Sequence, residues 1–244
     1  MPLEGIKVLD ISRAQMGPFA GVLLADFGAD VIKVEQLTGD LSRGANLVLY
    51  PAGTIDAYVL AHNRGKRGLA VDFRKKEGID AILKLAQTSD VFIQNFRPGV
   101  AEKMGLGYQV LSKLNPRIVY CNLSGFGRSS PLAPWPAFDL IGQAMGGITS
   151  VTGGPEAGPT PVGTPIADQV GAIFTAYGIL MALLARERMG IGQEVDVAML
   201  DCQLALQTWE ITHYLVTGKL PPRRQGTSGR AIPSAQDEGE LLQL

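Results

Sequence analysis

From Ile6 to Leu123, short apolar runs alternate with segments of helical period. Ile6-Lys7-Val8-Leu9-Asp10-Ile11-Ser12 is strand-sized, Pro18 to Phe27 has helical spacing, and Asp30-Val31-Ile32-Lys33-Val34-Glu35 reads as a second strand. Leu69 to Phe73 predicts a third strand and Lys76 to Thr88 a helix. Val91 to Gln94 and Ile118 to Leu123 continue the pattern, with helical turns between them. Such alternation calls for parallel strands joined by right-handed crossovers, with helices on both faces. The fold class is α/β, a doubly wound, mostly parallel sheet of Rossmann type.

Gln36 to Ala57 reads as a long polar loop, and Asp139 to Ala144 opens another helical segment. Gly146 to Gly163 is too rich in glycine and proline to be regular. The apolar run from Val170 to Ala185 predicts a buried helix, because a membrane span needs about 20 apolar residues and this run is shorter. Gly171, Thr175, Gly178 and Ala182 form a stripe of small side chains that lets another backbone come close. Gly190-Ile191-Gly192-Gln193 turns into a last strand, Glu194 to Ala198, and Leu200 to Thr217 reads as one long helix. Residues 1–220 form the large domain of this reading and 221–244 a linker or tail.

Composition narrows the function classes. With 46% hydrophobic and 18% charged residues the chain is that of a globular protein with ample core. A net charge of -1 argues against a broad nucleic-acid surface, while local cations can still hold the phosphates of a small ligand. Cys121 and Cys202 lie in apolar segments without metal or CxxC spacing, so no metal site is expected. The first residues run directly into a strand with no basic, apolar leader, and a cytoplasmic protein with no membrane partner is the expectation.

Candidate chemistry collects where strands end, since ligands of doubly wound sheets lie beyond the carboxyl ends. Ser12-Arg13-Ala14-Gln15-Met16-Gly17-Pro18 lacks the GxGxxG fingerprint, which removes the main support for a nicotinamide dehydrogenase and for NAD as cofactor. Asn63-Arg64-Gly65-Lys66-Arg67-Gly68 sets three cations within four residues, suited to phosphates or to a solvated turn. In Asn95-Phe96-Arg97-Pro98-Gly99 the ring can stack on a purine with Arg97 near a phosphate, or the segment is an ordinary turn. Pro161 to Pro165 forms a stiff approach to a helix, which predicts Asp168 at the N-cap: a plain capping carboxylate, or one kept ionised there as a nucleophile.

With these motifs in view the chain resembles the class III coenzyme A transferases. The likeness runs from Leu3-Glu4-Gly5-Ile6-Lys7-Val8-Leu9-Asp10 through Ala29-Asp30-Val31-Ile32-Lys33-Val34-Glu35, Asn95-Phe96-Arg97-Pro98-Gly99, Ser124-Gly125-Phe126-Gly127, Ala137-Phe138-Asp139-Leu140 and the Asp168 segment to Gly190-Ile191-Gly192-Gln193. The resemblance implies transfer of CoA from an acyl-CoA thioester to a carboxylic acid, with Asp168 as the nucleophile. It implies further that Ala14, Gln15, Lys66, Arg67, Asn95, Phe96, Arg97 and Lys103 hold CoA, the substrate. It also implies a homodimer of interlocked chains with a smaller second domain, whose start would fall near residue 221. Helix-start amides and a glycine loop are expected to oppose the effect of burial on Asp168.

Racemases of this family carry His where this chain has Phe138, which moves no proton, so transfer is favoured over racemisation. A non-catalytic CoA-binding or interaction protein is the alternative from another class.

Overall fold

The computed structural model describes residues 1–43, 57–154 and 156–221. The reading of a tail beyond residue 221 and most of the predicted Gln36–Ala57 loop lie outside the described residues. In chain order the elements are β1 (Lys7–Asp10), α1 (Met16–Asp26), β2 (Asp30–Gln36), α2 (Ala57–Asn63), β3 (Arg67–Val71), α3 (Lys76–Ala86), β4 (Val91–Gln94), α4 (Val100–Lys103) and α5 (Tyr108–Leu114). There follow β5 (Val119–Ser124), α6 (Asp139–Met145), α7 (Ile148–Val151), α8 (Ile166–Met189), β6 (Glu194–Ala198), α9 (Met199–Leu206) and α10 (Thr208–Thr217).

Six parallel strands form one sheet in the order β3-β2-β1-β4-β5-β6. This is the doubly wound order, and it reverses between β1 and β4, where the loops leaving the two strands part and open a crevice. Central strands are covered on both faces, which is why they read as unbroken apolar runs. Val8, Val91, Ile93, Val119 and Cys121 face a core shared with Met16, Leu24, Val170 and Ile179 of α1 and α8. Leu9, Phe92 and Tyr120 face the other core, built with Ile82 and Ala86 of α3 and Leu111 of α5. Phe92 and Tyr120 stack there with centroids 5.1 Å apart.

Four elements depart from the sequence reading, the first being α7 (Ile148–Val151), a turn of helix inside the Gly146–Gly163 stretch read as irregular. The predicted Val170–Ala185 helix extends at both ends to Ile166–Met189, and only one side of it is buried. It is long and apolar enough to cross a membrane, yet half of its most apolar stretch is covered by the fold. The small stripe lies inward as expected: Thr175 and Ala182 are buried, a side chain at Gly171 would meet Met16 of α1, and one at Gly178 would meet Val195 of β6. Ile173, Tyr177, Leu180, Met181 and Leu184 face outward. The single helix over Leu200–Thr217 is instead two, α9 and α10. They part at Gln207, whose backbone leaves helical geometry (φ −107°, ψ 32°) while its side chain donates to the Gly146 carbonyl. A tertiary hydrogen bond thus overrides an uninterrupted helical pattern. Finally, α2 forms at the end of the stretch read as loop.

Candidate active site

The β1–α1 loop, the β4–α4 loop, the end of β5 and the start of α8 enclose a cleft of about 440 Å³ at the carboxyl edge of the sheet. Arg13, Ala14, Gln15, Asn95, Phe96, Arg97, Ser124, Gly125, Phe138 and Asp168 line it. A smaller hollow of about 190 Å³ continues past the Phe96 ring, between the ends of β1 and β2 and Phe73.

Asp168 is not the N-cap. Pro165 occupies that position and α8 begins at Ile166, which sets Asp168 third in the helix. The capping carboxylate comes from another element: Asp139 Oδ1 accepts the Ala167 N–H at 2.8 Å and the Asp168 N–H at 3.2 Å. Gln143, one turn along α6, donates to Asp139 Oδ2 at 2.6 Å and accepts the Val162 N–H at 2.8 Å. α6 therefore clasps the stiff approach on both sides of Pro165. Gly125 is required by this arrangement, because a Cβ there would overlap Ala137, which leads into Phe138 and Asp139.

The electrostatics reverse one expectation. The helix-start amides serve Asp139, and among the described residues nothing donates to the Asp168 carboxylate. Burial, with the nearby negative charge of Asp139 second, pushes its carboxyl up to about 7. An acid poised there is half ionised near neutrality, a property that clusters at reactive sites.

The other predicted site residues divide. Ala14, Gln15, Asn95, Phe96 and Arg97 meet at the cleft. Asn95 faces it with an engaged amide: its Oδ1 accepts from Arg13 N and its Nδ2 donates to Arg13 O, both at 2.7 Å. Phe96 packs edge-on against Phe73 and carries the Arg13 guanidinium 5.9 Å above its ring. Lys66, Arg67 and Lys103 do not line the cleft. Lys66 Nζ is buried, donating to Asp10 Oδ2 at 2.8 Å and to the Pro18 carbonyl at 2.7 Å. Burial lowers its pKa against the pull of Asp10. Arg67, at the start of the edge strand β3, pairs with Asp30 on the surface. Lys103 is an exposed residue at the end of α4. Each cation of the basic run is ion-paired, Lys66 in the interior with Asp10, and Arg64 and Arg67 on the surface with Asp26 and Asp30.

With this geometry in hand, known proteins supply the comparison. The model of CoA-transferase family III matches residues 3–236. The chain belongs to CoA-transferase family III. It is 38% identical over 239 residues to the succinate–glutarate CoA-transferase of Agrobacterium fabrum, covering 93% of this chain and 58% of that protein. It is 41% identical over 225 residues to the acetyl-CoA:oxalate CoA-transferase of Acetobacter aceti, covering 91% and 57%. The crystal structure of a CaiB/BaiF family protein from Brucella suis matches with a TM-score of 0.90 at 38% identity, over 96% of this chain and 62% of that one. The chain thus spans less than two thirds of the length of these relatives.

Within this family III fold, two residues that the sequence reading left without a role serve the site: Arg13 lines the cleft, and Asp139 caps the helix that carries Asp168. Arg13 was visible as a cation directly after a strand. Asp139 lay in a quoted motif, but only the fold brings it to the start of α8.

Proposed function

We propose that this chain carries the acyl-CoA site of a CoA-transferase that moves CoA from an acyl thioester to a free carboxylic acid. The observation that carries the reading is Asp168: a titratable carboxylate at the wall of a cleft that an aromatic ring and two arginines also line. Phe96 suits the adenine face, and Arg13 and Arg97 suit phosphates.

In the proposed reaction an Asp168 carboxylate oxygen attacks the thioester carbonyl, the C–S bond breaks, and CoA leaves as thiolate, giving an acyl-aspartyl anhydride. The thiolate then attacks the aspartyl carbonyl, releasing the donor acid and leaving an aspartyl-CoA thioester. The acceptor carboxylate attacks that thioester in turn, and the returning thiolate takes the acceptor acyl group and frees Asp168. Each step exchanges one acyl bond for another, so the group stays activated provided water is kept away. The donor and acceptor acids named for the relatives motivate succinyl-, glutaryl-, oxalyl- and acetyl-CoA as the first probes.

The test is intact-mass measurement of the parent chain and of Asp168→Asn after mixing with those thioesters. An acyl or CoA adduct on the parent, mapped to Asp168 and absent from the variant, supports the reading. No adduct from any donor, with CoA bound, favours the second reading, CoA binding without transfer. The observation behind that reading is exposure at the cleft: Phe138 is 73% exposed, so the site as it stands does little to exclude water. The outward apolar face of α8 also motivates pairing with a second chain, which sedimentation reads directly.

A further inference from the structure

Ala14 is the one non-glycine among the described residues in the left-handed region, with φ 60°. That conformation is unfavourable for an L-residue and persists where its surroundings hold it. Here they do. The Ala14 N–H points between the two oxygens of Asp40, at 3.1 and 3.2 Å. Asp40 is buried; its Oδ1 also accepts Ser42 N at 2.9 Å and Ser42 Oγ at 3.0 Å, and its Oδ2 lies 3.6 Å from Lys33 Nζ. Lys33, buried on β2, donates to the Ser12 carbonyl and lies 3.9 Å from Asp10 Oδ1, which accepts the Ser12 N–H at 2.9 Å.

With Asn95 on both backbone groups of Arg13, every backbone polar group from Ser12 N to Ala14 N meets a side chain: Asp10, Lys33, Asn95 or Asp40. A loop that only joined a strand to a helix would leave its backbone to water. This one is fixed by residues from β1, β2, the turn after β2 and the end of β4. Two aspartates and two lysines, Asp10, Asp40, Lys33 and Lys66, share the buried volume beneath it.

We propose that Asp40 and Lys33 are positioning residues for the acyl-CoA cleft: they hold Ala14 in its left-handed turn, and through it set Arg13 over Phe96 and Gln15 at the cleft wall. The proposal rests on the reading of the cleft given above. Neither residue lines the main cleft, and Asp40 borders only the smaller hollow beside it. Their effect reaches the ligand through the loop, where an error of about 1 Å is enough to cost a large factor in binding or rate.

The experiment compares the parent chain with Asp40→Ala, Asp40→Asn and Asp40→Ala/Ala14→Gly. Three quantities are read: CoA affinity by calorimetry, KM and kcat for an acyl-CoA that transfers, and hydrogen exchange at the Ala14 amide. Asp40→Ala is expected to weaken CoA about tenfold and raise KM in parallel, with kcat changed by less than about threefold. Asp40→Asn keeps an acceptor for the Ala14 N–H and recovers most of the affinity. Adding Ala14→Gly recovers about threefold or more, since glycine adopts the turn unaided. Affinity within about twofold of the parent in Asp40→Ala overturns the proposal, as does a loss that neither Asn nor Ala14→Gly repairs. If Asp40→Ala does not fold, Lys33→Met takes its place, and parental CoA affinity in that variant overturns the proposal. A parent chain that binds no CoA refutes the acyl-CoA reading itself. Exchange at Ala14 then decides the frame alone: faster exchange in the variant supports it and an unchanged rate overturns it.

Discussion

Asp139 Oδ1 accepts the backbone N–H of Asp168 at 3.2 Å, so one carboxylate caps the helix that carries the other. The pair is held by backbone geometry and coupled by charge. Substitution at Asp139 separates the two effects.

Asp139→Asn removes the charge and keeps an acceptor for Ala167 and Asp168. The Asp168 midpoint is expected to fall below 7. Melting temperature is expected to drop, because the new amide NH2 faces the Gln143 Nε2 donor, but by less than in Asp139→Ala. Asp139→Ala leaves the same two amides uncapped and is expected to cost about 1–2 kcal/mol. Titration of Asp168 by carboxyl carbon NMR, alongside thermal melts, reads both.

Asp168 also makes stability depend on pH. Its carboxyl is raised from the ordinary 3.8 to about 7, so between those values the folded state binds more protons than the unfolded state. Stability is complete below about pH 4, declines as pH rises through 7, and is then flat. Asp168→Asn removes that decline. The variant is expected to be more stable than the parent at pH 8, by no more than about 4 kcal/mol, and equal to it near pH 4. Denaturant melts at the two pH values test this; a variant less stable than the parent at pH 8 refutes it.

Lys66 and Arg97 are expected to fail in opposite ways. Lys66→Met removes the closer of the two lysines on the buried Asp10 carboxylate, leaving Lys33 at 3.9 Å, and is expected to cost up to about 3–5 kcal/mol of stability. Arg97→Ala, at an exposed position on the cleft rim, leaves the melt within about 0.5 kcal/mol and weakens CoA. Lys103→Ala, outside the cleft lining, changes neither. Parallel melts and CoA titrations of the three variants decide.

Gly192 packs against the turn into β5, where a Cβ would overlap the Ile118 carbonyl oxygen and the Arg117 carbonyl carbon. Backbone cannot yield as a side chain does. Gly192→Ala is expected to destabilise by about 2 kcal/mol or more while the folded fraction binds CoA as the parent does. A melt unchanged from the parent counts against the packing described.

The sheet was legible because its strands are buried on both faces and separated by strong punctuation; Val8-Leu9 and Val119-Tyr120-Cys121 could be little else. The cleft loops were legible for a similar reason, since strand ends in this fold class mark the ligand edge. What the sequence did not carry was pairing. Lys66 and Arg67 read as free cations until Asp10 and Asp30 stood beside them, 56 and 37 residues away in the chain. The cap of α8 read as Asp168 because local pattern assigns caps to neighbours, whereas Asp139 arrives through tertiary packing. The break at Gln207 has the same origin, a hydrogen bond to Gly146 that no local period records.

Asn95 ties the loop after β4 to the loop after β1 by two short hydrogen bonds, across the seam where the two halves of the sheet diverge. The tie turns a place of natural parting into a rigid rim. On the proposed reading an incoming thioester meets its firmest wall here, and any widening for a bulky acyl chain falls to the side where the exposed Phe138 stands. That reading expects affinity for the nucleotide end and tolerance for the acyl end to be separable by mutation, each governed by its own side of the opening.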